Sequence, residues 1–267
     1  MEHLFVEGSL IAEYFYIGLS LLVLASLVAG YIDAIAGGAG LILIPAFFMV
    51  GLPPQVALAQ EKLVSTIGTL AAIKNFMKSS SIVWKIVPVG IVSALLGAYI
   101  GAEVILMLPV ETITYIIMAF LPVGLAATLF KGKLLKQVEE GGQEIKKSVL
   151  AVFVTCLIVG FYDGFFGPGT GSIFIIALFM INKLTLLQAS ATSKIFNFAS
   201  NIGAFAAFLI AGKMAFLIGI PMILANLVGN HFGSLHAINS NGEIIKKVLI
   251  ITVGMIFCTM IYKALFA

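Results

Sequence analysis

The chain contains only two aspartates, Asp33 and Asp163, and both lie within long apolar stretches. Each is followed by a glycine-rich phrase, at 34–40 in the first copy and at 164–171 in the second. An ionisable side chain in hydrocarbon is costly, so its presence there is by default a sign of function. Two copies half a chain apart predict an internal repeat with one paired site.

The chemistry open to these carboxylates is coordination of a substrate or ion, proton uptake, or pairing with a lysine. A structural role is equally compatible, since each can cap a local turn by accepting N–H groups from its glycine phrase. Lys62 and Lys194 are the only lysines well inside apolar runs, where an ammonium needs a carboxylate or an anionic ligand. We expect each lysine to pair with the aspartate of its own half, and Glu61 to point away from Lys62 around the helix.

A polar stripe accompanies each of these lysines at positions i+3 and i+7. Its members are Ser65 and Thr69 in the first half and Asn197 and Asn201 in the second. Residues at these spacings share one helix face, and a polar face on an apolar helix normally points into the bundle interior. These side chains can bind a ligand, or they can bond only to neighbouring helices.

The glycine phrases favour broken helices. Glycine adopts backbone conformations closed to other residues, and Pro168 fixes φ and removes an N–H donor. A break leaves the first N–H groups of the next helix unpaired, and these groups together with the helix dipole make an anion site. The alternative is that the glycines only allow close helix packing. The candidate binding glycines are Gly37, Gly38 and Gly40 in the first phrase and Gly167, Gly169 and Gly171 in the second.

The elements that position these residues are membrane helices. The chain has 267 residues, of which 61% are hydrophobic and 10% charged, whereas a soluble domain has roughly 45–50% and about 25%. A span needs about 20 apolar residues, so the length allows about eight to ten helices. The apolar runs are too long for barrel strands, which predicts an all-α polytopic membrane protein.

The apolar runs fall into two similar series. Two runs, 41–51 and 172–182, are too short to span a membrane, and each directly follows a glycine phrase. Short interrupted segments at matching positions in two halves are the best sequence indicator of a transporter binding site. The aspartates are 130 residues apart and the lysines 132, which predicts a small insertion in or just after the second phrase.

Three regions follow from this pattern: a first transmembrane repeat at 1–130, a charged loop at 131–147 and a second repeat at 148–267. Each repeat is expected to hold about four full transmembrane helices plus the short helix after the glycine break. The lysine-rich loops at 77–85 and 131–147 are assigned to the cytoplasmic side of an inner cell membrane. The repeats are inverted if the short segments cross and parallel if they are re-entrant, and the lysine distribution slightly favours the inverted version.

Other kinds of site find little support in the composition. The net charge of +3 gives no indication of nucleic-acid binding. The chain has no Arg, so an anion must be held by Lys, amides or backbone N–H groups. The two cysteines lie in apolar runs and predict neither a disulfide nor a metal site, and no cofactor is expected. The expected partners are the lipid bilayer and a small anion, while the oligomeric state is left open, with a homodimer as one option.

These motifs resemble those of the TauE/SafE sulfite exporter family, also called the four-toluene-sulfonate uptake permease family. That family opens each half with an Asp, a glycine-rich loop and a Pro, as at 33–45 here, and carries a small-residue, Thr, Lys signature on the next helix, as at 191–194. The first half departs from the signature, since Gln60 and Glu61 stand where a small residue or Thr and an Asn are usual. The resemblance covers nearly the whole chain and implies transport of sulfur oxyanions or organosulfonates driven by an ion gradient. It also implies that Thr192 and Lys194 belong to the substrate site.

The predicted function is therefore that of a secondary transporter rather than an enzyme. It would move a small sulfur-containing anion across a bacterial membrane and bind it between the repeats near the midplane. The aspartates either hold the lysines and loops in place, or one of them takes up a proton and couples the anion to the proton gradient. A cation transporter that uses both aspartates is the main alternative. An intramembrane aspartyl protease is a weaker one, because its second aspartate follows its glycine motif whereas both precede theirs here.

Overall fold

A computed structural model describes residues 8–79, 82–113, 115, 116, 119 and 149–240 of the chain. The elements in these ranges are helices, with no strand, as predicted for an all-α membrane protein. Five of them are long and apolar enough to cross a membrane, judged by length and composition. The predicted charged loop at 131–147 and the last apolar run, 247–266, lie outside the described residues.

The helices of the two halves follow each other in the same order. The first half contains α1 (Leu10–Glu13), α2 (Phe15–Ala36), α3 (Ala39–Val50), α4 (Pro54–Lys78) and α5 (Val87–Leu106), with a 3-10 turn at Trp84–Ile86 before α5. The second half contains α6 (Val149–Phe165), α7 (Thr170–Asn182), α8 (Leu186–Ile210) and α9 (Phe216–Asn239). Helices α2 to α5 therefore correspond in order to α6 to α9.

Local sequence signals set the helix ends. Gly37, with φ of +72°, directly follows α2, and Gly51 follows α3 in the left-handed conformation. Helix α4 begins with Pro54, at a position where the missing N–H has no intrahelical acceptor. Helix α8 begins with a capping box, in which the main-chain N–H groups of Thr185 and Gln188 each donate to the other's side chain.

The helices that follow the glycine phrases are short. Helix α3 has 12 residues and α7 has 13, so each is about 18–20 Å long and cannot alone cross a hydrocarbon core of about 30 Å. The break before α3 covers residues 37–38, whereas the break before α7 covers 166–169. The second break is longer by the two residues that separate the aspartate and lysine spacings, as the sequence predicted.

The long helices pack across the two halves. Helix α5 packs mainly on α6 and α8, and α9 packs mainly on α2 and α4. Glycines spaced by four residues bring each pair close enough that an added Cβ would overlap a main-chain oxygen of the other helix. These contacts are Gly97 with Leu157 and Gly101 with Phe161 for α5, and Gly229 with Leu27 and Gly233 with Tyr31 for α9. The reciprocal pattern fits two related halves, while their inverted or parallel sense stays a prediction.

Helices α4 and α8 form the centre of the bundle. In an apolar stretch of 18 residues, 72% of α4 and 67% of α8 is buried, against 33–44% in the other three long helices that the structure describes. They contact each other, and they also receive the short helices, α3 on α4 and α7 on α8. The two helices that carry Lys62 and Lys194 are therefore the long helices with least access to lipid.

Candidate functional site

The two glycine phrases lie against each other. A Cβ on Gly37 would lie 2.5 Å from Gly171 Cα, so the approach depends on both glycines. Ser172 Oγ donates to the main-chain oxygens of Ala36 and Gly37, at 2.7 and 3.0 Å. The start of α7 is thereby tied to the end of α2, and the two breaks form one structure.

Each buried lysine pairs with the aspartate of the other half. Lys62 Nζ donates to Asp163 Oδ1 at 2.8 Å. Lys194 Nζ donates to Asp33 Oδ2 at 3.0 Å and also to the main-chain oxygen of Asp33. The prediction of pairing within each half was wrong, because it treated the halves as separate bundles. Since α4 and α8 meet at the centre, each lysine reaches across to the opposite break.

The two aspartates differ in their remaining partners. Asp33 Oδ1 accepts from the main-chain N–H groups of Gly38 at 3.0 Å and Ala39 at 3.4 Å, which confirms the capping role for the first copy. Asp163 Oδ2 accepts instead from Ser200 Oγ at 2.5 Å. Asp33 therefore sits on the positive end of α3, whereas Asp163 is held by two side chains.

Glu61 turns toward Lys62. Its Oε2 lies 2.9 Å from Lys62 Nζ, and its Oε1 accepts from Ser65 Oγ at 2.9 Å. The prediction that Glu61 points away around the helix was wrong, because most of α4 is buried and a carboxylate there has no solvent to reach. Lys62 consequently forms ion pairs with two carboxylates, Glu61 and Asp163.

The cluster has more negative than positive groups. Asp33, Glu61 and Asp163 face two ammonium groups, so the net charge is −1 when all five residues are ionised. Their side chains are 0–6% exposed. An uncompensated charge is strongly unfavourable in such surroundings. The cluster would therefore be stabilised by one further positive charge or by one proton.

A small polar cavity lies between the glycine phrases and the central helices. Its volume is about 10 Å³, which is enough for about one water molecule. The two lysines do not line this cavity, but each bonds to an aspartate that does. The predicted site residues that line it are Asp33, Gly38, Gly40, Ser65, Asp163, Gly167, Gly169, Gly171, Asn197 and Asn201.

The other predicted site residues lie outside the lining. They are Gly37, Lys62, Thr69, Thr192 and Lys194. Gly37 packs against Gly171, and each lysine bonds to an aspartate of the cavity wall, so these residues stabilise the lining from outside the cavity. Thr192 Oγ1 accepts from the main-chain N–H of Val83 at 3.1 Å, so it anchors the segment that leads into α5. Thr69 is fully buried on α4.

Three lining residues were missed by the sequence analysis: Ala39, Glu61 and Thr170. Ala39 and Thr170 lie inside the glycine phrases, so the phrases themselves were a sufficient signal. Glu61 had a signal too, since it is the charged departure from the lysine signature. Ser200, which bonds Asp163, follows Lys194 at i+6 and therefore falls outside the stripe that the sequence analysis considered.

The comparisons with known proteins agree with this arrangement. The model of the sulfite exporter TauE/SafE family matches residues 22–260. The chain belongs to this family. This TauE/SafE protein is 34% identical to a probable membrane transporter protein of Haemophilus influenzae, over 91% of this chain and 94% of the relative. No solved structure matches the chain.

Two further relatives cover the same extent. A probable membrane transporter protein of a Sinorhizobium species is 34% identical over 87% of this chain and 88% of its own length. The probable membrane transporter protein YfcA of Escherichia coli K12 is 29% identical over 92% and 90%. Together with the apolar helices, these relatives make this TauE/SafE protein a multi-pass membrane transporter.

Proposed function

We propose that this TauE/SafE protein is a secondary transporter, and not an enzyme, for a small sulfur-containing anion such as sulfite or a sulfonate. The proposal places it in the bacterial inner membrane, with the 77–85 and 131–147 loops in the cytoplasm. The observation that carries it is the position of two buried lysines, Lys62 and Lys194, directly behind a polar cavity at two helix starts. An anion that reached this cavity would lie beside Asp33 and Asp163, each of which holds one of the two ammonium groups.

The start of α7 is the proposed anion-binding end. The start of α3 already holds a carboxylate, because Asp33 accepts from its first N–H groups. Asp163 directs its two oxygens to Lys62 and Ser200 instead. The main-chain N–H and the hydroxyl of Thr170 both donate to the main-chain oxygen of Gly167 in this structure. A bound oxyanion would replace that oxygen as their acceptor, in the way that anions bind helix N-termini. The side-chain amides of the second polar stripe line the same wall.

Binding requires the cavity to widen. It now has room for about one water molecule, whereas a sulfite or sulfonate group has a sulfur and three oxygens. The Asp33–Lys194 and Asp163–Lys62 ion pairs join opposite halves of the molecule. An anion that competes with an aspartate for its lysine would loosen one of these connections. Substrate binding and relative movement of the halves would thereby be linked, as alternating access demands.

A cation transporter is the second candidate, and the net charge of −1 on the five ionised groups favours it. Against it, each aspartate already has an ammonium at hydrogen-bond distance, so a bound cation would meet two like charges. The same ion pairs disfavour an aspartyl protease, in which two carboxylates share a proton.

Flux measurements on purified protein in liposomes test the proposal. We expect saturable movement of radiolabelled sulfite that methanesulfonate inhibits. Lys194→Met should abolish this flux, while Lys74→Met, an exposed lysine on α4, should leave it unchanged. Movement of an alkali or divalent cation without any sulfur anion would contradict the proposal and favour the second candidate.

A further inference from the structure

We propose that Glu61 is the proton-binding residue of the cavity and that it carries a proton when the anion is bound. This inference rests on the proposed function and identifies its coupling ion. The carboxylate is present in one half only, since the position that corresponds to Glu61 in the second half is Ser193. Proton coupling would therefore be a property of α4 in the first half, while the start of α7 in the second half holds the anion.

The ion pairs and the hydrogen bonds together single out Glu61 among the three carboxylates. Asp33 accepts from Lys194 and from two main-chain N–H groups, and Asp163 accepts from Lys62 and Ser200. A proton on Asp33 would leave the ammonium of its lysine without a buried counter-charge. A proton on Glu61 leaves Lys62 paired with Asp163. A proton on Asp163 would likewise leave Lys62 beside Glu61, but both oxygens of Asp163 already accept hydrogen bonds, whereas Glu61 Oε2 has only its ion contact with Lys62 among the described residues. Protonation of Glu61 therefore brings the cluster to neutrality with both ion pairs intact.

Few other charged groups face Glu61 in the described part of the chain. Its own helix contributes Lys62, α6 contributes Asp163, and Asp33 of α2 with Lys194 of α8 lies across the cavity. Helix α3 has no titratable side chain.

The histidines of α9 are engaged elsewhere. His231 bonds Asn75, and His236 bonds Tyr31. The protonation state of Glu61 is thus set by the two ion pairs and by whatever occupies the cavity.

The cavity wall also contains an acceptor suited to a protonated carboxyl. Asn201 Nδ2 donates to Asn197 Oδ1 at 2.9 Å, while Asn201 Oδ1 is buried without a hydrogen-bond partner among the described residues. A carboxylate cannot donate to this oxygen, but a carboxylic acid can. Glu61 and Asn201 line the same small cavity. Protonation of Glu61 therefore provides a hydrogen-bond donor for the unpaired Asn201 Oδ1.

The charges balance for a monovalent anion. The empty ionised cluster has a net charge of −1, one proton from solution brings it to zero, and the bound anion returns it to −1. The loaded and empty sites then carry the same buried charge. Proton and anion would consequently move together in the same direction, one for one.

Calorimetric titration with methanesulfonate, whose charge does not change near neutral pH, tests the inference. In buffers of different ionisation enthalpy, we expect the wild-type protein to take up about one proton per bound anion. Above the pH at which Glu61 loses its proton, Kd should rise about tenfold per pH unit, because one proton is linked to binding. Glu61→Gln should bind without proton uptake and with a pH-independent Kd. Glu61→Asp should restore the uptake, and Glu13→Gln, an exposed glutamate on α1, should behave as wild type.

Proton uptake that persists in Glu61→Gln would overturn the inference. If the wild-type protein binds neither methanesulfonate nor sulfite, the proposed function fails instead. Infrared titration of the anion-free protein still decides the role of Glu61 in that case. The carboxylic acid band of a buried protonated group should be absent from Glu61→Gln and present in Glu13→Gln. An unchanged band in Glu61→Gln would overturn the inference.

Discussion

Removal of one member of a crossed ion pair should destabilise the protein, and removal of both should largely restore it. Asp33→Asn leaves the ammonium of Lys194, whose side chain is 0% exposed, without a counter-charge. The loss of one partner from such a pair costs about 3–5 kcal/mol. For a chain of roughly this size, 1 kcal/mol corresponds to about 2–4 °C in Tm, so Tm should fall by about 6–20 °C. Asp33→Asn combined with Lys194→Met should recover most of this loss, because neither member of the pair is left as a buried charge without its partner.

Double-mutant cycles measure the pairing itself. Thermal unfolding of detergent-purified variants should give a coupling energy of about 3 kcal/mol for Asp33 with Lys194. The cycle for Asp33 with Lys62, the pairing that the sequence suggested, should give under about 0.5 kcal/mol. Lys74→Met serves as the control for loss of an exposed lysine. If single variants do not fold, the yield of monodisperse protein replaces Tm. Equal rescue by Lys62→Met and Lys194→Met would refute the crossed pairing.

Other predictions concern the glycine contact and the polar stripe. Gly37→Ala should lower Tm more than Gly212→Ala. Both glycines have positive φ, but only at Gly37 would an added Cβ lie 2.5 Å from a neighbouring main chain. Such an overlap costs about 1–3 kcal/mol. Equal shifts would show that the two breaks are not in contact. Asn201→Ala should weaken methanesulfonate binding about tenfold, the equivalent of about 1.4 kcal/mol, through loss of a cavity amide. Ser93→Ala, which removes a hydroxyl bonded within α5, should not change it, and equal affinities in the two variants would place the anion elsewhere.

Much of the fold could be predicted from the sequence because hydrophobic runs in a membrane protein have few alternative structures. Runs of about 20 apolar residues become helices, and glycine phrases break them. Both short helices and the longer second break were predicted in this way. The packing of α5 on α6 and of α9 on α2 was not, because a GxxxG pattern indicates a close contact without naming the partner helix.

The site was predicted in composition but not in pairing. Sequence position indicated that Lys62, Lys194 and the two aspartates belong together, since each is costly alone in an apolar setting. Which carboxylate each lysine meets depends on how α4 and α8 cross, and the residue spacing within one half carries no information about that. The direction of Glu61 was missed for a related reason. Angular position on a helix decides orientation only where one side faces solvent, and α4 is buried on most sides.

The position of the bound anion tests the central claim most directly. Crystals grown with selenite, the selenium analogue of sulfite, would reveal it through anomalous diffraction from selenium. We predict a single strong selenium peak between the start of α7 at Thr170 and the amide of Asn201, with the cavity wider than in the empty protein. A peak outside the space between the two glycine phrases, at selenite concentrations that saturate transport, would contradict the account.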